Sequence, residues 1–403
     1  MTRLLEHQSL DLLIKAGVAV PSYFAVATPE AAADAARTIK GPVVIKALIP
    51  AGRRGKSGGV LTADSPAKAA ELAGTLLGRT LGHFPVQQVL IQSRVQVSAE
   101  YFCAFTYDSM ARGPVVLFST SGGVDIEELF ANQPEKIITR PVEARPDLLP
   151  FVACEIAESA GLQGEQLANT AATLCRLYDV LYKNDAALVE VNPLALDPTG
   201  NLVALSAVVN VDDQASFRHS EWDSVVDPAL SNGWRPLTAL ERRMREIDAI
   251  DAGSSIRFNE FTEGRIACML TGGGSGLLTL DQFHRMGEMP ATTFDITPGR
   301  VEEKMYLATK AILAHPGLAG LIAGGNITNF IPIDVKVRGV VRALKELKTD
   351  AHRFPIVFRY AGPGVETARE LAAEIPGIEF YDHRMSLEGA VERIVNRVRE
   401  VTA

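Results

Sequence analysis

The chain has 403 residues, more than one hydrophobic core usually organises, so two or three domains are expected. Apolar residues make up 47% and charged residues 22%, and the formal charge of -8 comes without any long acidic or basic block, which argues against a nucleic-acid partner. No run approaches a membrane span, the amino terminus carries no apolar core with a cleavage site, and Cys103, Cys154, Cys175 and Cys268 are scattered, so membrane insertion, disulfides and structural zinc are not expected and the chain reads as cytoplasmic.

Leucines at helical spacing over residues 2–16 stop at Gly17, and Thr28-Pro29-Glu30 reads as a cap, a first-turn proline and an acidic first turn. The apolar run Val43–Leu48 follows as a strand that carries Lys46, and then comes the basic, glycine-containing segment Gly52–Gly59. Residues 86–92, 100–107 and 114–120 read as strands, 163–183 as a helix, and 187–196 with 202–209 as a hairpin closed by the turn Asp197–Asn201. This first half is predicted to be α+β.

The stretch from about Ser220 to Phe258 is polar and irregular in pattern, the natural place for a linker. From Arg265 onward strand, loop and helix alternate, with strands near 265–270, 291–296, 318–323, 355–360 and 378–382, which predicts a doubly wound parallel sheet. Ligands bind such sheets outside the carboxyl ends of the strands, so the loops Thr271–Ser275, Thr297–Gly299, Gly324–Asn329 and Arg359–Gly362, together with His383, are the ones to inspect.

A net negative chain must hold an anionic ligand through local cations and backbone amides. Lys46 in an apolar strand requires an anionic partner, and a phosphate or a structural carboxylate satisfies that requirement equally well. The loop Gly52–Gly59 offers cations on a backbone able to wrap phosphate oxygens, yet it matches neither Walker A nor GxGxxG and reads equally as a solvated turn. Period two places Glu190 and Asn192 on one strand face, a carboxylate and an amide oxygen suited to nucleotide-bound magnesium, although such pairs are more often structural. Gly272-Gly273-Gly274 before the helix from Leu277 leaves amides for an anion, with plain turn geometry as the alternative.

Taken in order and at their distances, Leu5-Glu6-His7-Gln8 through Val18-Ala19-Val20-Pro21, Val44-Ile45-Lys46 with Gly52–Gly59, Ser119–Glu128, Glu190-Val191-Asn192-Pro193-Leu194 and Phe217-Arg218 resemble the ATP-grasp half of succinyl-CoA synthetase β subunits. The later loops resemble that subunit's CoA-ligase domain. Within the superfamily, Arg53-Arg54-Gly55-Lys56, Gly122-Gly123-Val124-Asp125 and Gly325–Phe330 with Val340–Ala343 lean toward the ATP-citrate lyase and citryl-CoA synthetase form. The resemblance implies an ATP-grasp domain over 1–240 and a doubly wound, flavodoxin-like CoA-ligase domain over 241–403. It implies ATP and Mg2+ as cofactors, CoA held mainly by an α-type partner that brings a phosphohistidine, and a hetero-oligomer without nucleic acid or membrane.

Carried over by position, Lys46, Arg54 and Gly55 contact ATP phosphates, Gln92 and Glu100 line the adenosine side, and Asn192 holds magnesium while Glu190 faces the phosphohistidine. Gly272–Ser275, with Gly273 and Gly274 at their centre, offer amides to the transferred phosphate, and Gly299, Asn329, Phe330 and Arg359 surround a small organic acid. Several positions depart from the pattern. Ser206 stands where a magnesium-binding aspartate is usual, with Asp212 as a substitute, and Ser121 where a glutamate is usual; Ile331 and Tyr360 stand where citrate enzymes have threonine and a second arginine. These departures leave room for a succinate or malate ligase and for a degenerate ATP-grasp subunit with an assembly role. A dinucleotide-binding reading of the second half lacks both the GxGxxG and the acidic residue it needs.

Overall fold

Thr28 and Ser65 begin two helices in the same way: each side-chain oxygen accepts the backbone N–H three residues on, and a proline with no N–H to satisfy takes the first helical position. The computed structural model describes residues 2–52, 54–123, 126–219, 222 and 235–402. It divides into two units, Met1–Pro236 and Leu237–Ala403. Among the described residues no helix is long and apolar enough to cross a membrane.

The first unit runs β1 (Thr2–Arg3), α1 (Glu6–Lys15), β2 (Tyr23–Val26), α2 (Pro29–Ile39), β3 (Val43–Ala47), β4 (Val60–Ala63), α3 (Pro66–Leu76), β5 (Thr80–Leu81), β6 (Phe84–Pro85) and β7 (Val89–Ser93). It continues through β8 (Ala99–Asp108), β9 (Gly113–Ser119), α4 (Ile126–Asn132), β10 (Ile138–Pro141), α5 (Pro150–Ser159), α6 (Gly164–Lys183), β11 (Ala186–Leu196), β12 (Leu202–Ala204) and β13 (Ala207–Val211). Strands β2-β7-β3-β4 form one antiparallel sheet. Its Val43, Ile45, Ala47, Val89 and Ile91 face the alanine-rich sides of α2 and α3. A larger antiparallel sheet, β1-β13-β11-β8-β9-β10 with β12 on β11, buries Cys103, Phe105, Val189 and Val191 against α5 and α6. The hairpin expected over 187–209 is present, but its second strand breaks at Leu205 and Ser206; Asp197 closes the turn by accepting from the N–H groups of Thr199 and Asn201.

The second unit begins with α7 (Ala239–Asp248), where Thr238 and Glu241 form a reciprocal capping box. Met244 and Ile247 of α7 pack into this unit's core, so the division lies a few residues before the boundary expected at 240. The expected linker is therefore regular structure over 239–248 and 256–260, while Ser220, Glu221 and 223–234 lie outside the described residues. Then follow β14 (Ile256–Glu260), β15 (Ile266–Thr271), α8 (Gly273–Arg285), β16 (Thr292–Ile296), α9 (Glu302–Leu313), β17 (Gly320–Ile327), α10 (Ile333–Glu346), β18 (Ile356–Ala361), α11 (Val365–Ala373), β19 (Glu379–Tyr381) and α12 (Leu387–Thr402).

Strands β15-β17-β18-β19 are parallel, with α8 and α12 on one face and α7, α9, α10 and α11 on the other. The sheet is thus doubly wound, but the second of the five expected strands departs from it. Strand β16 pairs antiparallel with β14 and meets β15 through a single bridge, Ile266 with Pro290. The cause is Thr292, whose buried hydroxyl accepts from Cys268 N–H and donates to Cys268 C=O, replacing a ladder by side-chain bonds.

Candidate functional site

In the first unit Lys46 lies opposite Leu90, and period two puts Gln92 on the same sheet face. The Lys46 ammonium is buried and donates to Glu6 Oε1 at 2.9 Å and to the Leu205 carbonyl at 2.7 Å. Arg54 forms an ion pair with the other oxygen of Glu6, donates to the Ala47 carbonyl at 3.1 Å, and lies 3.5 Å from Ser206 Oγ. Gly59 closes the basic loop by donating to Arg54 C=O, while Gly55 is exposed and Arg53 lies outside the described residues.

One carboxylate thus serves two cations. Burial alone would raise the Glu6 carboxyl, but Arg54 and Lys46 outweigh it and hold the group at about 2. For Lys46 burial is the dominant effect and lowers its pKa, with Glu6 opposing and Arg54 adding to the fall. The asymmetry has a plain cause, since Glu6 has two opposite charges as neighbours and Lys46 has one of each sign. Sequence reading missed Glu6, although its spacing from Leu10 and Leu13 places it on the buried face of α1.

A second group adjoins the first. Asn192 N–H donates to Ser206 C=O at 3.2 Å, and Asn192 Oδ1 accepts from Gly123 N–H at 2.8 Å. Gly123 lies against Glu100: a Cβ there, at φ +71, would stand 1.6 Å from Glu100 Oε2. At Gly122 a Cβ would stand 2.2 Å from the Tyr101 carbonyl, so both glycines are needed for this loop to lie on β8; Val124 and Asp125 lie outside the described residues. Glu190 on β11 is half-buried, and burial raises its pKa while the nearby Arg3 guanidinium opposes the rise. Arg3 is a further neighbour that the sequence did not single out. Gln92 is buried, and its Nε2 finds no hydrogen-bond partner among the described residues.

Lys46, Arg54 and Asn192 are therefore joined through Leu205 and Ser206, with Glu100 behind Gly123. Asp212 does not join them: it stands at the far end of β13 from Ser206 and caps the turn at Gln214, so the length of the strand removes it as a substitute ligand. No group of three or more His, Cys, Asp or Glu side chains that could hold a metal occurs among the described residues. An amide oxygen has two lone pairs, and Gly123 takes one from Asn192. That oxygen and the Glu190 carboxylate are the donor types that fit a magnesium ion held chiefly by phosphate and water.

In the second unit the chain turns at Gly272, φ +113, to begin α8. The N–H groups of Gly272 and Gly273 donate to Asp295 Oδ1 and Oδ2 at 2.9 and 3.3 Å, so a carboxylate from the end of β16 lies across the first turn. Buried Lys336 lies beside it, 3.4 Å from Thr271 Oγ1 and within the field of Asp295. Neither residue was singled out by sequence reading. Lys336 is legible in retrospect as a cation on the helix face that carries the apolar residues Ile333 and Val340.

Asn329 and Phe330 follow β17 and are exposed, Phe330 by 84%. Gly299 follows β16, φ +154, packed so closely on Gly253 that a Cβ would meet its carbonyl at 1.8 Å. The loop Gly272–Gly274 lies between these two along the sheet edge. Arg359 is buried within β18, where it donates to the carbonyls of Gly325 at 2.7 Å and Met385 at 2.9 Å; burial lowers its pKa against the opposing charges of Asp382 and Glu388. Tyr360, expected beside it in the acid pocket, points to the other face and packs on Phe358 and Phe380 in the core, with its hydroxyl unpartnered among the described residues. Ile331 is buried in that same core.

An ATP-grasp domain model matches residues 3–196, and the model of the ATP citrate lyase citrate-binding domain matches residues 235–397. The β subunit of ADP-forming succinate–CoA ligase from Persephonella marina is 32% identical over 400 residues, covering 96% of this chain and 97% of that one. The GDP-forming counterpart from Thermus thermophilus is 34% identical over 388 residues, covering 96% of each. Among solved structures, ATP citrate lyase from Methanothrix soehngenii, in complex with citrate and coenzyme A, shares the fold at a TM-score of 0.74 and 22% identity, covering 99% of this chain and 100% of that one.

Proposed function

Because the chain belongs to the family of succinate–CoA ligase β subunits, we propose that it is the nucleotide-binding subunit of an ATP-dependent acid–CoA ligase in the cytoplasm, completed by an α-type partner. The observation that carries this reading is the cluster in which Lys46, Arg54 and Asn192 come together around Glu6 and Ser206. Lys46 has three N–H donors and places two on Glu6 and Leu205, which leaves one for a phosphate oxygen. Arg54 likewise keeps donors beyond those given to Ala47, Glu6 and Ser206.

In this reading the γ-phosphoryl group passes from ATP to a histidine nitrogen of the partner, and ADP leaves. The phosphoryl group then moves to a substrate carboxylate, and the CoA thiolate displaces phosphate to give the thioester. Lys46 and Arg54 hold and polarise the phosphates, Asn192 with Glu190 supports magnesium, and the raised pKa of Glu190 suits it to hydrogen-bond the incoming imidazole. Magnesium, when bound, supplies charge neutralisation of the triphosphate. On the second unit the Asn329–Phe330 loop would receive the acid, with Arg359 shaping that loop through Gly325; the amides of Gly272 and Gly273 are already given to Asp295, so a transferred phosphate takes that turn only by displacing this carboxylate.

The acid we propose is citrate, supported by the citrate-binding model over 235–397. Succinate is the second reading, favoured by the full-length relatives above 30% identity. Reconstitution with an α-type subunit, followed by acid-dependent ADP release on citrate, succinate and malate, separates the two. Calorimetry of Lys46→Ala and Arg54→Ala with MgATP tests the nucleotide site; each is expected to lose at least about tenfold in affinity, the worth of one charge-assisted hydrogen bond. Parental affinity in both variants would remove these residues from the site.

A further inference from the structure

Glu6 is left without a task by the reaction just described, although it is the most deeply placed charge in the nucleotide cluster. It is 3% exposed, it belongs to α1 rather than to the strand β3 and the loop after it that carry the cations, and each of its oxygens is given to a different cation. A single carboxylate between two cations leaves this buried triad with one net positive charge. The neighbouring Arg3 and Glu190 are of opposite sign and leave that balance unchanged.

Charges in such surroundings are weakly screened, so one unit of net charge changes the attraction for an oxyanion strongly. Magnesium removes two negative charges from a triphosphate, which makes the metal complex a much better match to one net positive charge than the metal-free polyphosphate. We infer that Glu6 is the charge-setting and positioning residue of the nucleotide site: it holds Lys46 and Arg54 side by side and, by keeping their sum at one, selects metal-complexed nucleotide against free polyphosphate. This rests on the placement of the phosphates at Lys46 and Arg54. It adds a residue whose effect is selective rather than a general aid to binding.

The test is calorimetry of the full chain with sodium tripolyphosphate in the absence of divalent metal, and with MgATP, for the parent and Glu6→Gln. Glutamine keeps the shape and one acceptor while removing the charge, so tripolyphosphate should bind at least about tenfold more tightly to the variant, with MgATP changed by less than about threefold. A purely structural role predicts weaker binding of both ligands. Tripolyphosphate affinity that is unchanged or weaker in Glu6→Gln overturns the inference. If that variant fails to fold, Glu6→Asp keeps the charge on a shorter side chain, and the ratio of its tripolyphosphate to MgATP affinities should lie within about threefold of the parent's; a ratio changed by more than about tenfold overturns the inference instead. The placement of nucleotide fails separately, through MgATP affinity that ignores Lys46→Ala, whereas the polyphosphate response judges Glu6 alone.

Discussion

The carboxyl of Glu6 is held at about 2 in the folded protein, below its ordinary value of 4.5. The unfolded chain therefore takes up this proton first as acid is added, so the stability contributed by Glu6 is complete above 4.5 and drains away as pH falls toward 2. Urea midpoints measured across that window should fall more steeply for the parent than for Glu6→Gln, and parallel curves would show that Glu6 is not the group responsible. At Tyr360 the expectation runs the other way. Its buried hydroxyl lacks a partner among the described residues, so Tyr360→Phe should stabilise the second unit by about 1 kcal/mol, seen as a higher midpoint. Sequence could say that Lys46 needed an anion, but not that the anion comes from Glu6, because nothing in a one-dimensional pattern links α1 to β3. Tyr360 was placed at the acid site through the resemblance, at a position where citrate enzymes have a second arginine, whereas in this strand it faces the side opposite to Arg359.

The elements that were legible are those whose signal is local. The helix over 163–183 and the turn at Asp197 depend on periodicity and on an aspartate binding its own backbone, and both lie where the pattern put them. The strand at 291–296 also lies where expected, but its pairing was not legible, because a threonine hydroxyl in place of a ladder leaves no mark on an apolar run. The loop on β8 shows what a glycine pair can specify. Gly122→Ala sets a methyl 2.2 Å from the Tyr101 carbonyl, while Gly55→Ala meets nothing within 4 Å. Thermal melts should show Gly122→Ala destabilised by about 2 kcal/mol or more, as overpacking against backbone requires, and Gly55→Ala unchanged. Equal midpoints would mean that the loop leaves β8 at little cost. If Glu100 and Asn192 serve the nucleotide, Gly122→Ala should weaken MgATP as well, since the next residue holds both.

Each unit has its own apolar cores, built from different helices and sheets, so heating is expected to produce two transitions. MgATP should raise only the one that belongs to Met1–Pro236, by about 2.7 kcal/mol at a hundredfold excess over its dissociation constant. Calorimetric scans at several nucleotide concentrations would show this, and a shift of both transitions together would contradict separate folding. The two-part organisation was readable from the change in alternation near Arg265, while Thr238 and α7 belong to the second core despite their polar sequence. Asp295 offers a way to follow that second unit by itself. Amides in the first turn of a helix have no acceptor within it and ordinarily trade their hydrogen for deuterium at the rate of an open chain. Those of Gly272 and Gly273 are engaged by Asp295, so in deuterium oxide they should exchange only as often as the unit opens, and in Asp295→Ala they should revert to the fast rate while the central strand β17 keeps its protection.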